Sequence, residues 1–88
     1  MERAITIVNK LGLHARAAAK LVTTASRFKS DIRIRRDARE VSGKSIMGVM
    51  MLAAGIGAKL TLIASGSDEV EALAALEQLI ADKFGEDA

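Results

Sequence analysis

The segment Arg3-Ala4-Ile5-Thr6-Ile7-Val8 puts Ile5 and Ile7 on one side of an extended chain and is rich in β-branched side chains, predicting a strand over 3–8. Asn9 and Gly12 break the alternation as turn residues. From Ala15 to about Phe28 the period changes: Ala18, Leu21, Val22 and Ala25 recur at helical spacing, with His14 at the cap position. Ile32 and Ile34 then alternate with Asp31, Arg33 and Arg35 as a half-exposed strand. Arg36-Asp37-Ala38 turns the chain, and Arg39 to Ser42 returns as a hairpin partner. Ser45, just before Ile46, Met47, Val49, Met50 and Leu52, is the N-cap signal of a short helix that Gly55 and Gly57 end. Leu60, Leu62 and Ala64 alternate along a last strand over 59–65. Gly66-Ser67-Asp68-Glu69 opens a final helix, with Ser67 as its cap and two acids in the first turn. Val70, Leu73, Leu76, Ile80 and Phe84 form its apolar stripe, and residues 85–88 read as a frayed tail.

The order is βαββαβα, and strands with one apolar face predict an antiparallel sheet that is covered on that face and wet on the other. The expected fold is therefore an α+β open-faced sandwich, with three helices on one face of a four-stranded antiparallel sheet, in a single domain spanning 1–88. Two layers leave little depth for a dry catalytic pocket and favour chemistry done at the surface. No apolar run reaches the length of a membrane span, and the first residues read as a strand and not as a signal peptide.

Composition narrows the chemistry. The absence of Cys removes disulfides, thiolate nucleophiles and Cys-based metal sites, and a lone His cannot build a multi-His site. No metal and no cofactor are expected. With no Trp, no Tyr and only Phe28 and Phe84, base-stacking platforms are nearly unavailable. Residues 1–66 carry 12 Lys/Arg against 4 Asp/Glu (net +8), while residues 67–88 carry 1 against 7 (net −6). Either the molecule has a basic working face, or one acidic helix neutralises its own domain.

The most informative segment is Gly12-Leu13-His14-Ala15-Arg16. A helix start presents amides without internal partners and a partial positive charge, a combination that holds phosphate. An imidazole at the cap sets a nucleophilic nitrogen beside that anion site. Arg16 can curl around the axial end and offer a forked contact to phosphate oxygens, while Gly12 permits a tight backbone approach. The bland reading is an ordinary exposed cap residue followed by a solvated Arg.

Taken together, GLHAR at a helix start, KSIMGVM further along and a closing ASGSDE-plus-helix resemble the HPr family, the histidine-containing phosphocarriers of the bacterial phosphoenolpyruvate-dependent phosphotransferase system. The resemblance covers essentially the whole chain. It implies that enzyme I, phosphorylated from phosphoenolpyruvate, donates a phosphoryl group to Nδ1 of His14, and that His14 passes it to an enzyme IIA component. Arg16 is then the phosphate-stabilising residue. The protein is a reactant in this relay and not an enzyme. The resemblance further implies regulatory phosphorylation of Ser45 by an ATP-dependent HPr kinase/phosphorylase, whereas the local reading of Ser45 is a helix cap alone. It also favours Met47 and Met50 beside His14 as partner contacts, with Ile46 on the same short helix, against a bland reading of core packing. A cytoplasmic monomer that binds neither membrane nor nucleic acid completes the expectation. In one departure, Ala17 stands where the family usually has Pro, which restores an amide donor and loosens the site's backbone.

Two other patterns compete. Gly43-Lys44-Ser45 mimics the end of a P-loop, but Ala38 occupies the position that motif needs as Gly. Residues 27–44 hold seven Lys/Arg against three acids, so Arg33, Arg35, Arg36 and Arg39 could line a hairpin that binds nucleic-acid phosphates. The missing aromatics and the acidic last helix weigh against that alternative.

Overall fold

A computed structural model describes residues 1–88. Alternation builds the sheet from β1 (Glu2–Thr6), β2 (Asp31–Arg36), β3 (Arg39–Ser42) and β4 (Lys59–Ser65), all antiparallel, in the order β1-β4-β2-β3. Leu62 faces Arg3 on one side and Ile34 on the other, and Ile34 in turn faces Val41. This register aligns Ile32, Ile34, Leu60, Leu62 and Ala64 in the core, beneath α1 (Ala15–Ala25), α2 (Ile46–Met50) and α3 (Glu69–Ala81). Ala17, Ala18, Leu21 and Ala25 bury the inner stripe of α1, which packs between α2 and α3. The two-residue turn at Asp37-Ala38 holds Asp37 at φ 54, a left-handed conformation that Asp tolerates better than most residues.

Several boundaries depart from the sequence reading. β1 stops at Thr6; Ile7 leaves the ladder, bonding instead to the amide of Gly57 and the carbonyl of Ala58. α1 ends at Ala25, and the amides of Arg27 and Phe28 close tighter turns onto Thr24 and Ala25. α2 ends at Met50, before either glycine. There the carbonyls of Met51, Leu52 and Ala53 accept hydrogen bonds from Arg39 and Arg36 of the hairpin. Asp68, not Ser67, stands at the head of α3, and its carboxylate caps nothing there. It accepts instead from the amides of Lys29 and Ser30 and from the Ser30 hydroxyl, tying α3 to the turn before β2.

Val70 is 53% exposed and lies outside the apolar stripe, which Ala72, Leu73, Leu76 and Ile80 make instead. Phe84 does not continue that stripe helically. It follows the helix end in a 3-10 turn (Lys83–Gly85) at φ 56 and folds back into the core. The tail is held, not frayed: Lys20 Nζ donates to the Phe84 carbonyl, and the Lys10 amide donates to the Ala88 carbonyl.

Candidate functional site

The loop from β1 to α1 is braced from both sides. Gly12 has φ +67, and a Cβ there would stand 2.4 Å from the Ala54 carbonyl oxygen, so only Gly fits. The close approach expected toward a ligand is thus made to the backbone at Ala54 and Gly55. The next amide, of Leu13, donates to that same Ala54 oxygen at 2.8 Å. The Leu13 side chain is buried, which fixes the entry of the chain into α1.

His14 occupies the N-cap with extended backbone (φ −71, ψ 177), and its side chain makes no capping bond. Its carbonyl accepts from Ala18, but the amides of Ala15, Arg16 and Ala17 donate to no protein acceptor. The helix start therefore keeps the free donors and partial positive charge that suit an anion. The ring is half-buried. Its Nε2 lies 2.5 Å from Oε2 of Glu86, while Nδ1 has no partner.

Glu86 is the residue that sequence reading missed. Its second oxygen accepts from Nδ2 of Asn9 at 3.0 Å, and Asn9 also donates to the Gly12 carbonyl at 2.8 Å. Asn9 is fully buried, and its Oδ1 has no partner. Reversing the amide would set oxygen against two acceptors, so the orientation is fixed by chemistry. Hydrogen bonds from His14 and then Asn9, outweighing partial desolvation, hold the Glu86 carboxyl below the ordinary carboxylate range.

Arg16 is exposed, without an ion pair or hydrogen bond, and lines a shallow hollow between α1 and α3 with Lys20, Thr23, Arg27 and Leu79. Ser45 is exposed and caps α2, its Oγ accepting from the Gly48 amide at 3.1 Å. On that five-residue helix Val49 alone is buried, with Leu52 just beyond it also in the core. Ile46, Met47 and Met50 are exposed, as are Leu11, Met51 and Ile56, which sequence reading left unassigned. For Leu11 and Ile56 an apolar side chain next to glycine in a turn was the available signal; Met51 lies within an apolar run and had none. α2 packs against α1, so the two sites flagged from sequence stand on neighbouring elements of one layer.

The basic hairpin does not form one face. Arg33 and Arg35 point to the open side of the sheet and pair with Glu40 and Glu2, whereas Arg36 and Arg39 turn to the carbonyls behind α2. Strand alternation separates them, and each guanidinium already has an internal partner.

Comparison with known proteins follows the same geometry. A family model described as the PTS HPr component phosphorylation site matches residues 1–82. The phosphocarrier protein HPr of Cupriavidus necator is 58% identical over 86 residues, covering 98% of this chain and 97% of that protein. The crystal structure of HPr-C-His from Thermoanaerobacter tengcongensis superposes with a TM-score of 0.96 at 50% identity, covering 100% of this chain and 99% of that one. A crystal structure of an HPr dimer from the same organism gives a TM-score of 0.80 at 52% identity, over 93% of this chain and 94% of that one. Sequence and fold agree from the first strand through the last helix, and the chain belongs to the HPr family of phosphotransferase-system phosphocarriers.

Proposed function

We propose that His14 takes a phosphoryl group on Nδ1 from phosphorylated enzyme I and hands it to an enzyme IIA component, in sugar uptake or its regulation. The observation that carries this reading is the imidazole itself: Nε2 is engaged by Glu86 and Nδ1 is free, at a helix start whose first amides have no acceptor. The Nδ1 lone pair forms the N–P bond as the bond from phosphorus to the donor breaks, the donor keeping its electron pair. The second transfer reverses these roles.

Such a reaction rests chiefly on positioning and charge, and a surface carrier needs neither metal nor pocket for it. Arg16, unpaired and two residues from His14, supplies a guanidinium to the transferring oxygens. Ile46, Met47 and Met50 give α2 an exposed, adaptable apolar surface on which two different partners dock in turn. Ser45 presents its hydroxyl to HPr kinase/phosphorylase, and a phosphate there adds roughly two negative charges to that surface. The carrier acts as a cytoplasmic monomer, a state that sedimentation of the unphosphorylated chain tests against a dimer.

The deciding experiment is incubation with enzyme I and phosphoenolpyruvate, followed by phosphate mapping. Acid-labile label on the wild type that disappears in His14→Ala supports the reading; label retained in that variant overturns it.

A further inference from the structure

Three of the four methionines stand on one short element. Met47 and Met50 lie on α2 and Met51 follows it directly, a spacing of three and four residues that sets their side chains on one side of the turn, opposite the buried Val49. The Met51 amide donates to the Met47 carbonyl, so the helical spacing holds across all three. Met47 is 76% exposed, Met51 57% and Met50 42%. The fourth, Met1, is exposed as well but stands ahead of β1, where its amine donates to the Ala64 carbonyl. A chain with no Cys, no Trp and no Tyr offers a two-electron oxidant its thioethers and little else. Such an oxidant meets this molecule chiefly on the side of α2 read above as the docking face.

With a peroxide the step is an oxygen transfer. The sulfur lone pair attacks one peroxide oxygen: the S–O bond forms as the O–O bond breaks, the proton on the transferred oxygen passes to the leaving hydroxide, and water departs. The thioether is oxidised and the peroxide reduced. A flexible apolar side chain thereby becomes a polar one. In solvent the new oxygen is hydrated and the fold is kept. Val49 and Leu52 hold the core side, and the contacts at the two ends of α2 use the Ser45 hydroxyl and backbone carbonyls, not sulfur. Against the apolar surface of a partner the same oxygen is buried without a donor, which disfavours docking. A thiol-dependent methionine sulfoxide reductase reverses the change, its thiols becoming a disulfide and the oxygen leaving as water. This chain holds no thiol of its own, so repair comes from outside and needs the exposure that these side chains have.

We propose that Met47, Met50 and Met51 form a reversible oxidation site, at which oxidants of the peroxide class convert thioethers to sulfoxides and so weaken the docking of partner proteins on α2. The proposal rests on the phosphocarrier reading, with α2 as its docking surface, and adds to it a modification independent of both His14 and Ser45.

The test treats the full chain with hydrogen peroxide and maps added oxygen by mass spectrometry. Oxygen should add to Met47 before Met51 and Met50, with the circular dichroism of the fold unchanged. In transfer from enzyme I and phosphoenolpyruvate, the KM for the oxidised chain should rise about tenfold at constant kcat, since apolar contact is replaced by a buried polar group. Reductases for both sulfoxide epimers, with dithiothreitol, should restore mass and KM together. With Met47→Leu, Met50→Leu and Met51→Leu combined, peroxide should still oxidise Met1 yet leave KM at that variant's own untreated value. Sulfoxides that leave the wild-type KM unchanged, that weaken the combined variant equally, or that the reductases cannot remove from the folded chain overturn the proposal and leave the carrier reading standing. An untreated wild type that takes no label at His14 overturns the carrier reading, and this proposal with it.

Discussion

At Gly12, an added methyl group meets the Ala54 carbonyl carbon and oxygen, and the backbone sits at φ +67, so clash and strain act together. Gly12→Ala should cost about 2 kcal/mol, read as a fall in urea midpoint, and should slow transfer because the His14 loop moves with it. Arg16 is the converse case. With no internal partner to lose, Arg16→Ala should leave the melting temperature unchanged while slowing phosphoryl transfer by tenfold or more, about 1.4 kcal/mol of transition-state charge stabilisation. Unchanged kinetics would remove Arg16 from the site.

Asp68 carries a third prediction at this scale. The Ser30 hydroxyl, then the Lys29 amide, lower its pKa from 3.8 to about 2. A depressed carboxyl stabilises the fold above its ordinary range, and that contribution is lost as pH falls from about 4 to about 2. Urea midpoints across that window should drop in the wild type and flatten in Asp68→Asn. The cap positions of His14 and Ser45 were legible in the sequence because a helix start is a local feature. Glu86 and Asp68 were not, because their partners lie in distant parts of the chain and no short-range pattern encodes the meeting.

Among the elements, α2 is held less by its own length than by what grips its two ends. Ser45 caps its start, and Arg36 and Arg39 bond the carbonyls that follow its last turn. A helix of five residues has little cooperativity of its own, so these end contacts decide its order. Ser45→Ala should destabilise the protein by about 1 kcal/mol and raise hydrogen exchange first within α2. Exchange rising uniformly across the sheet would refute that localisation.

The strands were the most readable elements, since burial on one face alone imposes the period of two seen in Ile32, Ile34, Leu60 and Leu62. Helix ends were less so. Ser67 carried the usual cap signal, but a tertiary contact drew the neighbouring Asp68 into place. Phe84 matched the helical stripe in spacing yet reaches the core through a turn, because position along a helix and direction after it are separate variables.

Over the whole molecule, four of the seven acids beyond residue 66 are engaged internally, and Glu71, Asp82 and Asp87 are not. Glu77 pairs with Arg3, Glu69 with the N-terminal amine, Glu86 with His14, and Asp68 with the turn before β2. Along α1, by contrast, Arg16 and Arg27 stand in one hollow with no acid opposite. The charge asymmetry seen in the sequence therefore resolves toward a basic face beside His14, suited to steering an acidic partner. The association rate with enzyme I should fall about tenfold as the screening length shrinks from about 10 Å at 0.1 M salt to about 3 Å at 1 M. Arg27→Glu should flatten that dependence, and a rate indifferent to salt would assign docking to the apolar surface of α2 alone.

Because every helix lies on one side of the sheet, the opposite side is spare. Thr61, on the central strand β4, lies between Ala4 and Arg35 on that outer surface and is partly open to solvent. In a chain without native thiols, a Cys placed there gives a dye a single attachment point. Such a reporter rides behind the helices, able to follow the chain's tumbling when a partner is added without covering His14 or α2.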